Sequence, residues 1–284
     1  LNVPGTGVTY TLDSFTGNNG TFQLNADGSF TYTLTDPVGS PTGNNGTNTY
    51  LGVETVVYTA TDASGNTVQG EIKINVIDDV PSIDAGVVDG DTVRLNTQDA
   101  QTIGAASDTA VSTANFSGAF SIASSNYGAD GAGTIAWNYA LGVTNAVSGL
   151  SSNGVAINLY LIGGKVVGST AATLAGVNAG NTVFDLAVDA GTGVVTLTQY
   201  AELDHPLPGS SSNYDAQELV LATGKVSLTG TATITDGDGD TASESVVLDL
   251  GGNVVFDDDG PSIDAAVVDG DTVRLNTQDA QTIG

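Results

Sequence analysis

The stretch TITDGDGDTASES, residues 233–245, sets Asp236, Asp238 and Asp240 at alternate positions with glycine between them. Calcium takes about six to eight hard oxygen ligands, and glycine lets a short loop turn several carboxylates toward one ion. The loop is not an EF-hand. Counting from Asp236, Thr241 stands where the sixth-position glycine is needed, and Val247 where the bidentate glutamate is needed. The G-G-x-G-x-D nonapeptides of calcium-binding β-rolls do not occur in the chain. A second reading of the same residues is a hairpin turn, because Asp-Gly is the strongest short hairpin signal. Repulsion among three carboxylates without a counterion favours the metal.

Acids also gather where strands give way to proline. FDDDGPSID (256–264) holds Asp257, Asp258 and Asp259 before Pro261, and IDDVPSID (77–84) holds Asp78 and Asp79 before Pro81. Neighbouring side chains of an extended chain point to opposite faces, so adjacent aspartates can serve an ion on each side or clasp two domains. The prolines stiffen each connection. The alternative is a solvated acidic linker. Asp62, in the turn TDASGN, belongs to a further site toward the start of the chain. Asp89 and Asp91 in VVDGDTV read as a hairpin turn, His205 in AELDHPLPG as a structural loop residue, and Trp137 as core.

The elements that must carry these residues are strands. GVTYTL (7–12), GSFTYTL (28–34), ETVVYTATD (54–62), EIKINVI (71–77), VVTLTQY (194–200) and KVSLTGTATITD (225–236) are rich in Val, Ile, Thr and Tyr, with partial period-two alternation between Gly, Asn and Asp clusters. No amphipathic helix is evident. Residues 104–126, rich in Ala, Ser and Gly, read as loop or short strand. If a hairpin closes each domain, its turn lies at the pole opposite the outgoing linker, about 25–30 Å away at about 3.3 Å per residue. That places the Asp236–Asp240 turn beside the incoming linker at Asp78, Asp79 and Asp84. A further reversal at Gly251-Gly252-Asn253 undoes that argument.

Residues 79–104 return at 259–284 with differences only at Val80/Gly260 and Gly86/Ala266, a register of 180 residues. Solenoid units run about 20–50 residues, so the repeating object here is a whole domain. The expected fold is all-β: tandem immunoglobulin-like or cadherin-like β-sandwiches joined by short calcium-binding linkers. The expected domains are a small sandwich over 1–78, a larger repeat over 79–258, and the start of the next copy over 259–284. The chain begins at Leu1 and contains no methionine, and so reads as a piece of something longer.

Composition narrows the function. There are 32 acids against five bases, a net charge of −27, and no cysteine. The bases Lys73, Arg94, Lys165, Lys225 and Arg274 are scattered, which argues against nucleic-acid binding, and the lack of cysteine removes thiolate chemistry. So large a charge opposes compaction, and bound divalent cations are its simplest counter. No apolar run approaches the roughly 18 residues of a membrane span, so no membrane insertion is expected. With one histidine and no nucleophile–base pairing, an enzyme is not expected.

The run from VVTLTQYAELDHPLPG through ELVLATGKVSLTGTATITDGDGDTASESVVLDL to FDDDGPSI resembles the long repeat domain of giant bacterial RTX-type adhesins exported by type I secretion. GTFQLNADGSFTYTL (20–34) and VVYTATDASGNTVQGEIKINVIDDVPS (56–82) resemble the cadherin-like and VCBS-type repeats of the same proteins. The resemblance implies an extracellular, calcium-loaded extender that spaces an adhesive tip from the cell in biofilm or host attachment. It implies Ca²⁺ ligands at Asp62, Asp78, Asp79, Asp236, Asp238, Asp240, Asp258 and Asp259. Asp257 matches less closely, since the equivalent earlier position is Ile77. The partners so implied are neighbouring repeat domains of the same chain, with any surface or host ligand bound by other domains and the chain itself a monomer. The alternative is a calcium-dependent carbohydrate-binding module repeated for avidity, which needs an open coordination position and flanking aromatics.

Overall fold

The computed structural model describes residues 1–38, 49–88, 90, 92–103, 108–206, 217–259, 266 and 276. The expected turn at Asp89 and Asp91, Pro261 and the next copy beyond 259 therefore lie outside the described residues, apart from Ala266 and Asn276. Among the described residues there are nineteen strands and three short 3-10 turns. No helix among them is long and apolar enough to cross a membrane.

Five strands come first: β1 (Thr9–Thr16), β2 (Gly20–Leu24), β3 (Phe30–Leu34), β4 (Thr49–Thr61) and β5 (Thr67–Ile77). They form an antiparallel sheet of order β1-β4-β5 and a β2-β3 hairpin. Tyr10, Val56, Ala60 and Val76 are buried, and Phe15, Phe22 and Phe30 stack in succession at 6.1 and 5.4 Å. No ladder among the described residues joins these strands to those that follow.

The second set begins with β6 (Ser82–Val87), β7 (Leu95–Gln98), β8 (Ala110–Asn115), β9 (Phe120–Asn126) and β10 (Thr134–Val143). It continues through β11 (Val147–Ser152), β12 (Val155–Ile162), β13 (Lys165–Ser169), β14 (Thr182–Val188) and β15 (Val194–Gln199). It closes with β16 (Glu218–Val220), β17 (Val226–Thr235), β18 (Thr241–Asp249) and β19 (Val254–Asp257). The largest sheet has the order β11-β12-β13-β14-β15-β8; β10 of the β10-β17-β18 sheet and β7 of the β16-β19-β7 sheet meet it, and the β6-β9 pair meets β17 and β18. Segment 104–126, expected to be loop or short strand, supplies both β8 and β9.

The sheets close over one core containing Phe116, Phe120, Tyr139, Phe184, Leu186, Leu197, Leu228 and Phe256. Trp137 is half-buried against it, stacked 6.0 Å from Tyr139. Strand β17 shows why the sequence folds this way. Val226, Leu228, Gly230, Ala232 and Ile234 are buried, while the intervening Ser and Thr residues are half-exposed. On that outer face Thr231 and Thr233 hydroxyls bond those of Ser245 and Ser243 across the β17–β18 ladder, each at 2.8 Å. The ladder runs in unbroken register from Ser227↔Asp249 to Thr235↔Thr241, which leaves residues 236–240 as the turn.

Phe256 is fully buried with its ring 5.0 Å from that of Phe184. Phe256→Ala is expected to cost about 3–5 kcal/mol of unfolding free energy. Val247→Ala, on the exposed face of β18, is expected to stay within about 0.5 kcal/mol of the parent. Urea unfolding followed by circular dichroism reads both.

Candidate metal centre

The β17–β18 hairpin is closed by a backbone bond from the Asp236 amide to the Asp240 carbonyl, 3.0 Å. Asp236 Oδ1 accepts the amides of Gly239 (3.1 Å) and Asp240 (2.8 Å), so one carboxylate oxygen serves the turn. Oδ2 of the same residue is shut away from water and accepts no hydrogen bond. The Asp-Gly spacing therefore does what a hairpin requires and leaves acidic oxygens over.

Two other segments meet this turn. One is the connection after β5, which carries Asp78 and Asp79. The other is the loop between β9 and β10, which carries Asp130. Gly237 donates its amide to the Gly131 carbonyl at 3.1 Å, and a Cβ at residue 237 would collide with the Asp130 carbonyl. Glycine is thus required there for close approach of two backbones rather than for turn geometry. The amide of Ala129 bonds Asp79 Oδ2 at 2.8 Å, which fastens the loop to the connection on its other side.

Asp130 is the hub. Carboxylate oxygens of Asp78, Asp79 and Asp130 lie within 4.8 Å of one another, and so do those of Asp130, Asp236 and Asp238. Asp78, Asp236 and Asp240 are buried. Asp78 Oδ2 and Asp130 Oδ1, like Asp236 Oδ2, are closed to solvent without a hydrogen bond. Three segments of the chain thus converge on a pocket of oxygen atoms, the donor set that suits a hard divalent cation. No ion pair from a basic side chain reaches it among the described residues: Lys73, Arg94 and Lys165 pair with Glu71, Glu218 and Asp185.

The electrostatics follow. Burial, the hydrogen-bonded Asp79 carboxyl and the charges of Asp238, Asp79 and Asp78 push the Asp130 carboxyl up to about 7. Asp78 is raised by burial and then by the charges of Asp240 and Asp238, and Asp236 by burial and then by the neighbouring Asp238 carboxyl. In each case the surroundings disfavour the charged form, a cost that a bound cation would offset.

The remaining sequence-predicted residues lie elsewhere. Asp62 is held in its own turn, accepting the amides of Ser64 and Asn66 (both 2.8 Å) and the Asn66 side chain (2.9 Å), with Ala63 bonded to Thr6 near the start of the chain. These bonds, the Asn66 side chain first, hold its carboxyl below the ordinary range. Asp84 is exposed on β6, opposite Ser124. Asp257 is buried in the β16-β19-β7 sheet, where Oδ2 accepts the Asn96 side chain at 2.8 Å. Asp258 meets Asp99 and His205 in a second group whose ligand atoms lie within 4.8 Å of one another. Asp259 is half-buried, and its charge adds to the burial that pushes Asp99 up to about 6. The reversal at Gly251–Asn253 does occur, but it follows the hairpin at its distant end: the Leu250 amide bonds the Val226 carbonyl. The Asp236 turn therefore stays at the incoming pole, about 30 Å up β17 from Val226.

Asp130, Asp99 and His205 were not among the expected ligands. Asp130 sits in NYGADGAG, whose Asp-Gly pair was a legible turn signal, but nothing in one sequence says which turns share a pole.

The sign of the pH dependence is set by the raised carboxyls. Asp78, Asp99, Asp130 and Asp236 all have folded-state pKa values above their ordinary 3.8. Between about pH 4 and pH 7 the folded chain then binds protons that the unfolded chain does not, so stability falls as pH rises through this window. In chelator, the melting temperature is expected to rise as the pH is lowered from about 7 to about 5. Asp130→Asn is expected to raise it at pH 7, where the parent carries the repelling charge, and to have less effect at pH 5; calorimetry at the two pH values checks both.

No curated protein matches the chain. Among solved structures, the extracellular domain of protocadherin GammaB4 aligns at 13% identity and a TM-score of 0.20, covering 85% of this chain. The chain spans only 25% of the length of that protein. A four-repeat segment titled PcdhgB3 EC1-4 aligns at 13% identity and a TM-score of 0.15, covering 88% of this chain and 67% of its own. The family described as a domain of unknown function, DUF5801, matches residues 87–251, more than half of the chain and nearly all of the second set of strands, and the chain belongs to that family.

Proposed function

We propose that the chain is a calcium-stiffened extender segment of a bacterial surface adhesin, with Ca²⁺ held at the joint by Asp78, Asp79, Asp130, Asp236, Asp238 and Asp240. The carrying observation is the convergence of acids from the connection, the β9–β10 loop and the β17–β18 hairpin, with buried oxygens of Asp78, Asp130 and Asp236 that accept no hydrogen bond. On this reading residues 1–78 and 79–258 are successive domains, and the ion fixes the angle between them. Asp259 stands one 180-residue period after Asp79 and so offers an equivalent acid to the next copy, whereas Asp258, one period after Asp78, lies with Asp99 and His205 of its own domain.

Support for the setting comes from the sequence resemblance: an extracellular rod, exported by type I secretion, that spaces a ligand-binding tip from the cell in biofilm or host attachment. The chain is then a monomer whose partners are its neighbouring repeats, with neither nucleic acid nor membrane among them and no catalysis of its own. Extracellular modules bind calcium with dissociation constants of about 10⁻⁴–10⁻³ M, so the joint is loose inside the cell and stiff outside.

The test is thermal unfolding and small-angle scattering with calcium and with chelator. At calcium a hundred times the dissociation constant, each site contributes about 2.7 kcal/mol. The expected result is higher melting and a longer, better-defined maximum dimension in calcium, both lost in Asp130→Asn combined with Asp236→Asn. Curves that coincide with and without calcium would return the aspartates to turns and solvated linkers.

A further inference from the structure

The group formed by Asp99, His205 and Asp258 differs in kind from the aspartate cluster. Asp99 opens the 3-10 turn Asp99–Thr102 that follows β7; His205 lies in the loop after β15; Asp258 follows β19. The His205 and Asp99 side chains are 2% and 1% exposed. Neither ring nitrogen of His205 has a hydrogen-bond partner among the described residues, although Nε2 comes to 3.4 Å from Asp99 Oδ2. A buried imidazole with both nitrogens unbonded is costly, because it has left water without replacing either hydrogen bond.

The surroundings hold these groups in place. Asp99 Oδ1 accepts the Gln199 side-chain amide, which also bonds the Ala201 carbonyl at 3.1 Å. Asp99 Oδ2 accepts the Leu203 amide at 3.1 Å. The histidine loop is fixed by the Ser152 hydroxyl on the Glu202 carbonyl (2.7 Å) and by the Asp204 amide on the Ser151 carbonyl (2.9 Å). Carboxylates that ligate a metal are themselves held by outer hydrogen bonds, as Asp99 is by Gln199 and Leu203.

We propose that Asp99, His205 and Asp258 bind a single Zn²⁺ at the end of the domain where the chain leaves β19, separately from the calcium joint. Two carboxylates and a neutral imidazole sum to zero charge with a divalent ion. The imidazole nitrogen suits zinc, whereas calcium and magnesium take oxygen. With bonds of about 2.0–2.1 Å, neighbouring ligands of a tetrahedral zinc stand about 3.3–3.4 Å apart, the spacing between Nε2 and Asp99 Oδ2. Water takes the fourth position. The ion ties the outgoing Asp258 to the loop after β15, so the start of the linker is held to the domain it leaves.

His205 is the sole histidine, so its ring protons can be followed directly by NMR in the whole chain. The titration is run with calcium in large excess over zinc, and the histidine ring reports its own group alone, since no histidine belongs to the aspartate cluster. One equivalent of Zn²⁺ is expected to shift the single set of imidazole resonances, and calorimetry is expected to give one zinc per chain. His205→Gln and Asp258→Asn are each expected to weaken zinc at least about tenfold. Asp236→Asn should leave zinc binding unchanged while reducing calcium binding. Imidazole resonances that ignore zinc under saturating calcium would overturn the proposal in the unaltered protein, with no dependence on how a variant folds. Zinc binding that survives loss of His205 would overturn it equally. Loss of the calcium response with the zinc response intact would sink the joint and leave this site standing.

Discussion

Carboxylates do not crowd together out of water without something to hold them, and that constraint governs the structure around Asp130. Oxygens of Asp78, Asp130 and Asp236 are closed to solvent with no hydrogen bond, and among the described residues the bases Lys73, Arg94 and Lys165 are paired elsewhere. Lys225 is at the opposite end of β17. The chain reaches this arrangement by deliberate backbone contact: Gly237 lets the hairpin touch the Asp130 carbonyl, and the Ala129 amide fixes Asp79. A merely solvated acidic linker would show acids spread outward, each with its own water.

The rest of the fold ties the Asp236 turn to the body of the second set of strands. Strand β17 carries the turn at one end and meets Leu250 at the other, and its inward face is locked into a core of aromatic and aliphatic side chains. A constraint imposed at the turn is therefore passed to the body of the domain rather than absorbed by a flexible loop. The hydroxyl pairs between β17 and β18 add cross-strand bonds without adding charge, which suits a chain that already carries so much of one sign.

The two acidic groups differ in donor type more than in charge. Around Asp130 every candidate donor is an oxygen, on three segments and in excess of what one turn needs. Around Asp99 a nitrogen replaces one of them, the number of donors falls, and the carboxylate is oriented from behind by Gln199 and Leu203. In a sequence with one histidine, its burial beside two aspartates is the more informative of the two placements.

Much of this was legible in the residues themselves. Alternating Val, Thr and Ile predicted β17 almost to its ends, the DGDGD turn announced a hairpin with acids to spare, and hairpin geometry placed that turn beside Asp78 and Asp79. These are properties of local spacing and extended-chain length. Segment 104–126 was harder to read because its small residues build strands that are held by partners distant in sequence, β15 for β8 and β6 for β9, rather than by β-propensity. Asp130 and the Asp99–His205–Asp258 group were beyond sequence reasoning for a related cause. Asp99 and Asp258 are 159 positions apart, and only the parallel pairing of β7 with β19 brings their strand ends together. The sequence by itself determined which segments are strands and which turns carry acids; the tertiary structure alone decided which of those turns share a pole, because that depends on the order of strands in the sheets and on no local pattern.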